Sequence, residues 1–96
     1  MTYDVDYSKV PVPHMVATVR RYVEKGCQPG HFMTALLSND LMGAVGRADA
    51  ENAAKLREWA IFLRCELPAG CHGSRERVAE WMVDRRVDQS RVATER

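Results

Sequence analysis

The chain of 96 residues lacks the features that would place it in a membrane, in a secretory pathway or on duplex nucleic acid. No apolar run approaches the roughly 20 residues of a membrane span. The segment Met1-Thr2-Tyr3-Asp4 is not the basic start of a signal peptide. The formal net charge of +1 is too small for the basic surface that grips duplex DNA. We therefore expect a cytoplasmic protein.

Cysteine is scarce and carries no clear chemistry. The three cysteines, Cys27, Cys65 and Cys71, are an odd number, which fits a disulfide framework poorly, and cytoplasmic thiols are reduced. Cys27 and Cys71, with His31 and His72, supply the residue types of a zinc site. Their spacing is not that of a zinc finger, however, and nothing orients a Cys–His nucleophilic pair. We expect no metal, no cofactor and no enzyme activity.

Apolar residues at helical spacing dominate the rest of the chain, and no alternating β-pattern exceeds four residues. The pattern predicts one all-α domain spanning 1–96, a compact bundle of about four helices with a short N-terminal arm. An extended arm is expected over 1–11 and a frayed tail over 84–96. The predicted helices are 13–25 ended by Gly26, 30–47, 50–66 after Asp49, and a fourth that Ser74 caps.

The second predicted helix combines the widest apolar face with a polar interruption. Its apolar face comprises Phe32, Met33, Leu36, Leu37, Leu41, Ala44 and Val45. Ser38, Asn39 and Asp40 then fall inside the same helix, although such residues compete for backbone hydrogen bonds and disfavour a helix interior. Two interpretations stay open: the three side chains line a polar pocket or reach a neighbouring subunit, or they cap adjoining turns.

Other polar residues near helix ends extend this candidate site. Arg47 and Asn52 follow the polar run, while Gly73, Ser74 and Arg75 begin the fourth helix. Backbone N–H groups, a hydroxyl and a guanidinium at that point could hold a phosphate or carboxylate, although an ordinary capped loop has the same residues. The candidate ligand-binding residues are thus Ser38, Asn39, Asp40, Arg47, Asn52, Gly73, Ser74 and Arg75.

Several of these segments together resemble a family of small proteins encoded by phages and prophages. The resemblance covers roughly 12–82, and its most specific part is Pro29-Gly30-His31-Phe32 with Leu37-Ser38-Asn39-Asp40-Leu41. Further shared segments are Val12-Pro13-His14, Arg21-Tyr22-Val23-Glu24-Lys25-Gly26, Arg47-Ala48-Asp49, Asn52 and Gly73-Ser74. Cys27 departs from the pattern, in which an aliphatic residue is commoner, and the family has no catalytic motif.

The resemblance implies a non-enzymatic binding protein that counters host defence in the cytoplasm of an infected bacterium. The first hypothesis is a homo-oligomeric sponge that sequesters a cyclic-nucleotide immune signal. Asn39 and Asp40 would read a base or ribose, and Arg47 or Arg75 with Ser74 would neutralise phosphate. The alternative is an inhibitor that masks a host defence protein through one helix face, as anti-CRISPR proteins do. A structural or packaging accessory is a third interpretation.

Overall fold

A computed structural model describes the backbone of residues 5–94 and the side chains of residues 5–87, and every regular element in that range is helical. The all-α prediction is therefore confirmed. The α-helices are α1 (Val16–Lys25), α2 (His31–Leu37), α3 (Leu41–Arg47), α4 (Ala50–Ala54), α5 (Leu56–Glu66) and α6 (Arg75–Thr94). Short 3-10 turns occur at Tyr7–Lys9, Pro13–Met15 and Ala69–Cys71.

The described part of the chain has six α-helices, so the expected count of about four agrees only roughly. The predicted helix 30–47 is divided into α2 and α3, and the predicted helix 50–66 is divided into α4 and α5. The other two predicted helices correspond to α1, which ends at the left-handed Gly26, and α6, where the Ser74 hydroxyl accepts from the Arg77 amide. The apolar period continues across both breaks, which is why it did not reveal them.

Ser38, Asn39 and Asp40 form the break between α2 and α3. Asn39 is left-handed, at φ 64°, a conformation that asparagine tolerates better than most residues. The Asp40 amide donates to the Ala35 carbonyl at 2.9 Å and the Asn39 amide to Leu36 at 3.1 Å, the two bonds of a Schellman motif. The Asp40 carboxylate then accepts from the Gly43 amide at 3.0 Å and begins α3. Capping is thus the observed role of this run within the chain.

A buried side-chain pair bridges the second break, at Lys55. Asp49 caps α4 by accepting from the Asn52 amide at 2.8 Å, as its position before that helix predicted. Asn52 is 4% exposed, and its Oδ1 accepts from the Trp59 indole N–H at 3.0 Å. Because this bond joins the first turn of α4 to α5, it holds the two short helices at a fixed angle.

The two ends of the chain differ in part from their expected form. The predicted extended arm, 1–11, contains the 3-10 turn Tyr7–Lys9, because the Asp6 carboxylate accepts from the Ser8 amide and caps it. Residues 1–4 lie outside the described residues. The predicted tail, 84–96, is helical to Thr94, while residues 95–96 also lie outside them.

The core is built around Trp59, which is fully buried. The Phe32 and Phe62 rings each meet the Trp59 ring edge-on, with ring centroids 6.1 Å apart, so that α5 packs on α2. The Trp81 indole N–H lies 3.2 Å from the Tyr22 and Val23 carbonyls, which joins α6 to the end of α1. These contacts fix the positions of α1, α2, α5 and α6.

The apolar face predicted for the helix 30–47 is only partly buried. Phe32, Met33 and Leu37 lie in the core, and Ala44 is the buried residue of α3. Leu41 and Val45, which the pattern assigned to the same face, are 62% and 48% exposed. The reason is the break: Asn39 reorients α3, so that residues continuing the apolar stripe of α2 point toward solvent.

Candidate functional site

Two neighbouring clefts open on either side of Arg47. Cleft A, about 390 Å³, lies among α1, the turn that joins α1 to α2, the start of α2, the end of α3 and α4. Cleft B, about 300 Å³, lies among α2, the start of α3 and α6. Arg47, the last residue of α3, lines both clefts, as does His31, the first residue of α2. These two side chains therefore form the boundary between the clefts.

Cationic side chains concentrate at these clefts. Arg21 and Arg47 are exposed and line cleft A, and within the described residues neither forms an ion pair. Arg75 lies on cleft B, 82% exposed, with its guanidinium 3.9 Å from the Asp40 carboxylate. Two unpaired guanidinium groups beside one cleft favour an anionic occupant, since arginine offers forked donors to phosphate or carboxylate.

The acidic groups at the clefts are partly committed to helix caps. Asp49 lines cleft A, and its Oδ1 accepts from the Asn52 amide. Asp40 lines cleft B, and its Oδ1 accepts from the Gly43 amide while its other oxygen faces Arg75. Each cleft therefore holds one carboxylate beside its arginines, and one oxygen of that carboxylate is used in a helix cap.

The predicted ligand-binding residues divide among different surfaces. Ser38, Asp40, Arg47 and Arg75 come together on cleft B, while Asn52 lines cleft A with Arg47. Asn39 and Gly73 lie instead on a third, more apolar groove of about 250 Å³, here called groove C. Groove C is lined by Leu36, Asn39, Leu41, Ala60, Leu63, Arg64, His72 and Gly73. Ser74 lines none of these three surfaces.

Gly73 and Ser74 are engaged by the fold itself. The Gly73 amide donates to the Leu37 carbonyl at 2.7 Å, which ties the loop before α6 to the end of α2. The Ser74 hydroxyl accepts from the Arg77 amide at 3.1 Å as the cap of α6. The backbone N–H of Gly73 and the side-chain acceptor of Ser74 are thus used within the chain, and Arg75 is the member of this segment that faces a cleft.

Asn52 has both a structural contact and a group directed to cleft A. Its carbonyl oxygen receives the Trp59 N–H. Its side-chain Nδ2 makes no hydrogen bond to the described part of the chain, and the residue lines cleft A. An amide donor fixed by a buried partner is a pre-oriented group for a carbonyl, ring nitrogen or phosphate oxygen.

Sequence reasoning did not assign several polar residues to the clefts, among them Arg21, Gln28 and His31. Arg21 belongs to the polar face of α1, where the helical period gives no sign of a cleft. Gln28 lies in the turn between α1 and α2, and the residue type of His31 suggested only a metal ligand or a member of a Cys–His pair. Arg21 and Arg47 are distant in sequence, and only the folded chain brings both of them to the lining of cleft A.

The cysteines and histidines differ in their surroundings within the described residues, and Cys27 and His31 both line cleft A. The described residues contain no group of three or more His, Cys, Asp or Glu side chains placed to hold a metal. Burial raises the pKa of the Cys71 thiol to about 12, so this thiol stays protonated and is a poor nucleophile. Burial, and then the nearby Arg77, lower the pKa of His72. Cys27 and Cys65 are exposed and free.

Two broader comparisons complete the description. Within residues 5–94, no helix has the length and apolar character needed to cross a bilayer. Comparison of the chain with known protein families, with curated proteins and with solved structures found no match. The geometry of the clefts is therefore the evidence from which a function is inferred.

Proposed function

We propose that this protein is a non-enzymatic binding protein for a small anionic ligand, most simply a cyclic nucleotide. The resemblance to phage proteins suggests the purpose of this binding. The protein would act as a homo-oligomeric sponge that sequesters an immune signal of the infected bacterium. The observation that carries the proposal is the position of Arg47. It lines two adjoining clefts, with Arg21 beside it in one and Arg75 in the other.

The chemistry of the clefts suits a phosphorylated ligand with polar edges. The guanidinium groups of Arg21 and Arg47 would neutralise phosphate. The Asn52 and Gln28 amides on cleft A offer donors and acceptors to a base or ribose. Cleft volumes of about 300 and 390 Å³ lie at the lower end of small-molecule sites, which suits a nucleotide rather than a polymer.

The roles first assigned to Asn39 and Ser74 change in this proposal. Asn39 lies on groove C and Ser74 caps α6, so neither is placed to read the ligand of cleft A or B. Arg47, Arg75 and Asn52 keep the roles that their residue types suggest. Arg21 and His31 are added to them as lining residues of cleft A.

Isothermal titration calorimetry against cyclic mono-, di- and trinucleotides tests the proposal at low and at physiological salt. We expect at least one of these compounds to bind, with an affinity that falls as salt is raised, because charge neutralisation dominates. Light scattering on the same sample establishes that the protein is folded and assembled. A folded, assembled protein that binds none of the compounds would contradict the proposal.

A second candidate function rests on a different part of the surface. Val83 and Val87 lie four residues apart on α6 and are 56% and 47% exposed. An exposed apolar pair on a helix suits docking to a groove of another protein. The second candidate function is therefore inhibition of a host effector protein that binds this part of α6. Replacement of both valines by Ser would then abolish binding to the effector, and replacement of Arg47 would leave that binding unchanged.

A further inference from the structure

Cys27 is an exposed thiol in the lining of cleft A. It follows Gly26, the left-handed residue that ends α1, and its backbone N–H donates to the Arg21 carbonyl at 3.3 Å. Within the described residues, its sulfur is engaged in no disulfide and in no metal-binding cluster. The turn out of α1 therefore holds a free thiol at the cleft, where it offers a point of covalent attachment to an occupant.

The charges around Cys27 favour an anionic partner. Among its described lining residues, cleft A presents the guanidinium groups of Arg21 and Arg47 against the carboxylate of Asp49. One oxygen of that carboxylate is used in the cap of α4. A small disulfide that carries carboxylates is therefore attracted to Cys27 by the same charges that would hold a phosphate.

A buried amide is a second, independent feature that points to a ligand in cleft A. Asn52 is 4% exposed, and its Oδ1 faces the Trp59 indole N–H, a group that can only donate. The Asn52 Nδ2 is the remaining polar atom. It makes no hydrogen bond to the described part of the chain, and the residue lines the cleft. A buried donor without a partner calls for an acceptor, which a peptide carbonyl or a carboxylate in the cleft would supply.

Cys65 offers a matched comparison within the same chain. It is also exposed and free, but it lines a groove of about 340 Å³ with Lys9, Glu58 and Glu66. Because Lys9 pairs with Glu66 at 3.3 Å, the surroundings of Cys65 are acidic where those of Cys27 are basic. The third cysteine, Cys71, is buried and therefore inaccessible to a reagent in solution.

We propose that Cys27 is a site of reversible modification by an anionic disulfide of the glutathione type, with the attached glutathione in cleft A. The Cys27 sulfur, after loss of its proton, attacks one sulfur of the disulfide. The original S–S bond breaks and a new one joins Cys27 to one glutathione. The second glutathione leaves as a thiolate and takes up a proton. Arg21 and Arg47 bind carboxylates of the attached group, and Asn52 donates to one of its oxygens.

Attachment closes cleft A to the ligand of the proposed function. The bound glutathione occupies the cleft and uses the guanidinium groups that would hold a phosphate. A thiol reductant releases it, so that Cys27 acts as a reversible switch on ligand binding. The switch rests on the proposed function, whereas the modification rests only on the geometry of the cleft.

Modification rates of the folded chain provide the first test. Cys65→Ser keeps the thiol of cleft A, and Cys27→Ser keeps the thiol of the acidic groove. Each variant is treated with anionic glutathione disulfide and with cationic cystamine, and intact-mass spectrometry follows the adducts. At low salt we expect the ratio of the anionic to the cationic rate to be about tenfold or more higher for Cys27 than for Cys65, with the difference shrinking as salt is raised. An unreactive Cys27, or equal ratios at the two thiols, would overturn the proposal.

Arginine variants in the Cys65→Ser background test the location of the attached group. Arg21→Gln and Arg47→Gln should each lower the preference of Cys27 for the anionic disulfide, because each removes one cation from cleft A. Arg57→Gln is the control, since Arg57 is exposed on α5 and lies outside the cleft. Thermal unfolding monitors the fold of each variant. A preference that neither cleft variant changes would contradict binding in cleft A.

Calorimetry of the modified chain separates this proposal from the proposed function. We expect the glutathione adduct of Cys65→Ser to lose the cyclic nucleotide that binds its unmodified form, and dithiothreitol to restore binding. An adduct that binds the nucleotide as tightly as the unmodified chain would overturn the switch. If neither form binds a nucleotide while Cys27 still prefers the anionic disulfide, the proposed function fails and the modification site stands.

Discussion

At the scale of single residues, the polar run Ser38–Asp40 is a chain-reversing cap. Asn39 supplies a left-handed residue and Asp40 supplies a carboxylate to the next helix. The residue types were visible in the sequence, since Asn tolerates positive φ and Asp is a preferred N-cap. The choice between capping and ligand binding needed the hydrogen bonds, because the same three residue types satisfy either role.

Substitution of Asn39 tests this role. Asn39→Ala is expected to lower the free energy of unfolding by about 1 kcal/mol, because alanine is strained at positive φ, whereas Asn39→Gly should lie near wild type or above it. Urea unfolding monitored by circular dichroism gives both values. Equal unfolding free energies for the Ala and Gly variants would contradict this role, because they would show that positive φ at position 39 does not destabilise alanine.

His72 predicts a pH dependence at the same scale. Its pKa is lowered in the folded protein, chiefly by burial and then by Arg77, from a usual value of 6.5. The folded state therefore binds fewer protons than the unfolded chain in mildly acidic solution. The contribution of neutral His72 to the free energy of unfolding is therefore fully present above pH 6.5. It is lost as the pH falls through the folded-state pKa. Chemical unfolding across this range should show a smaller acid-side loss for His72→Gln, and an unchanged slope would contradict the assignment.

At the scale of elements, the helical period predicted where helices occur but not where they break. Val12, Val19 and Val23 recur at helical spacing and are buried as expected. The period from Phe32 to Val45 is equally regular, yet it spans two helices with different orientations. Periodicity reports only which residues share a face of an ideal helix. The Asn39 break changes the direction of the axis and so exposes Leu41 and Val45.

Loops are joined to helices by buried polar contacts that no local pattern reveals. The Tyr22 hydroxyl donates to the Cys71 carbonyl at 2.6 Å across the core, and both residues are buried. No local pattern around Tyr22 indicates this bond, since its partner lies 49 residues away. The contact attaches the 3-10 turn Ala69–Cys71 to α1 and so places the start of α6.

Tyr22→Phe tests this attachment. Removal of the hydroxyl leaves the buried Cys71 carbonyl without its donor, and a loss of about 1–3 kcal/mol in unfolding free energy is expected. Thermal unfolding measures the loss. Tyr7→Phe is the control, because the Tyr7 hydroxyl lies 3.5 Å from Glu24 at the surface and its loss should have little effect. Similar losses for both variants would argue against a special role for the buried bond.

At the scale of the whole molecule, the site arises from packing and not from a motif. Arg21, Arg47 and Arg75 come from three helices, α1, α3 and α6, and the fold places them on two adjoining clefts that both include His31. Arg47 and Arg75 could be predicted from the sequence because they follow polar residues near helix ends. Arg21 could not be predicted, since the hydrophobic periodicity of α1 does not distinguish a polar face that lines a cleft from one that faces solvent.

The most direct test of the central claim is a calorimetric comparison of Arg47→Gln with Arg57→Gln, titrated with the cyclic nucleotide that binds the wild-type chain. Arg57 is exposed on α5 and lines neither cleft. Loss of a charged hydrogen bond predicts a dissociation constant raised about 10- to 100-fold for Arg47→Gln, and an unchanged one for Arg57→Gln. Equal affinities for both variants would contradict a ligand site at Arg47.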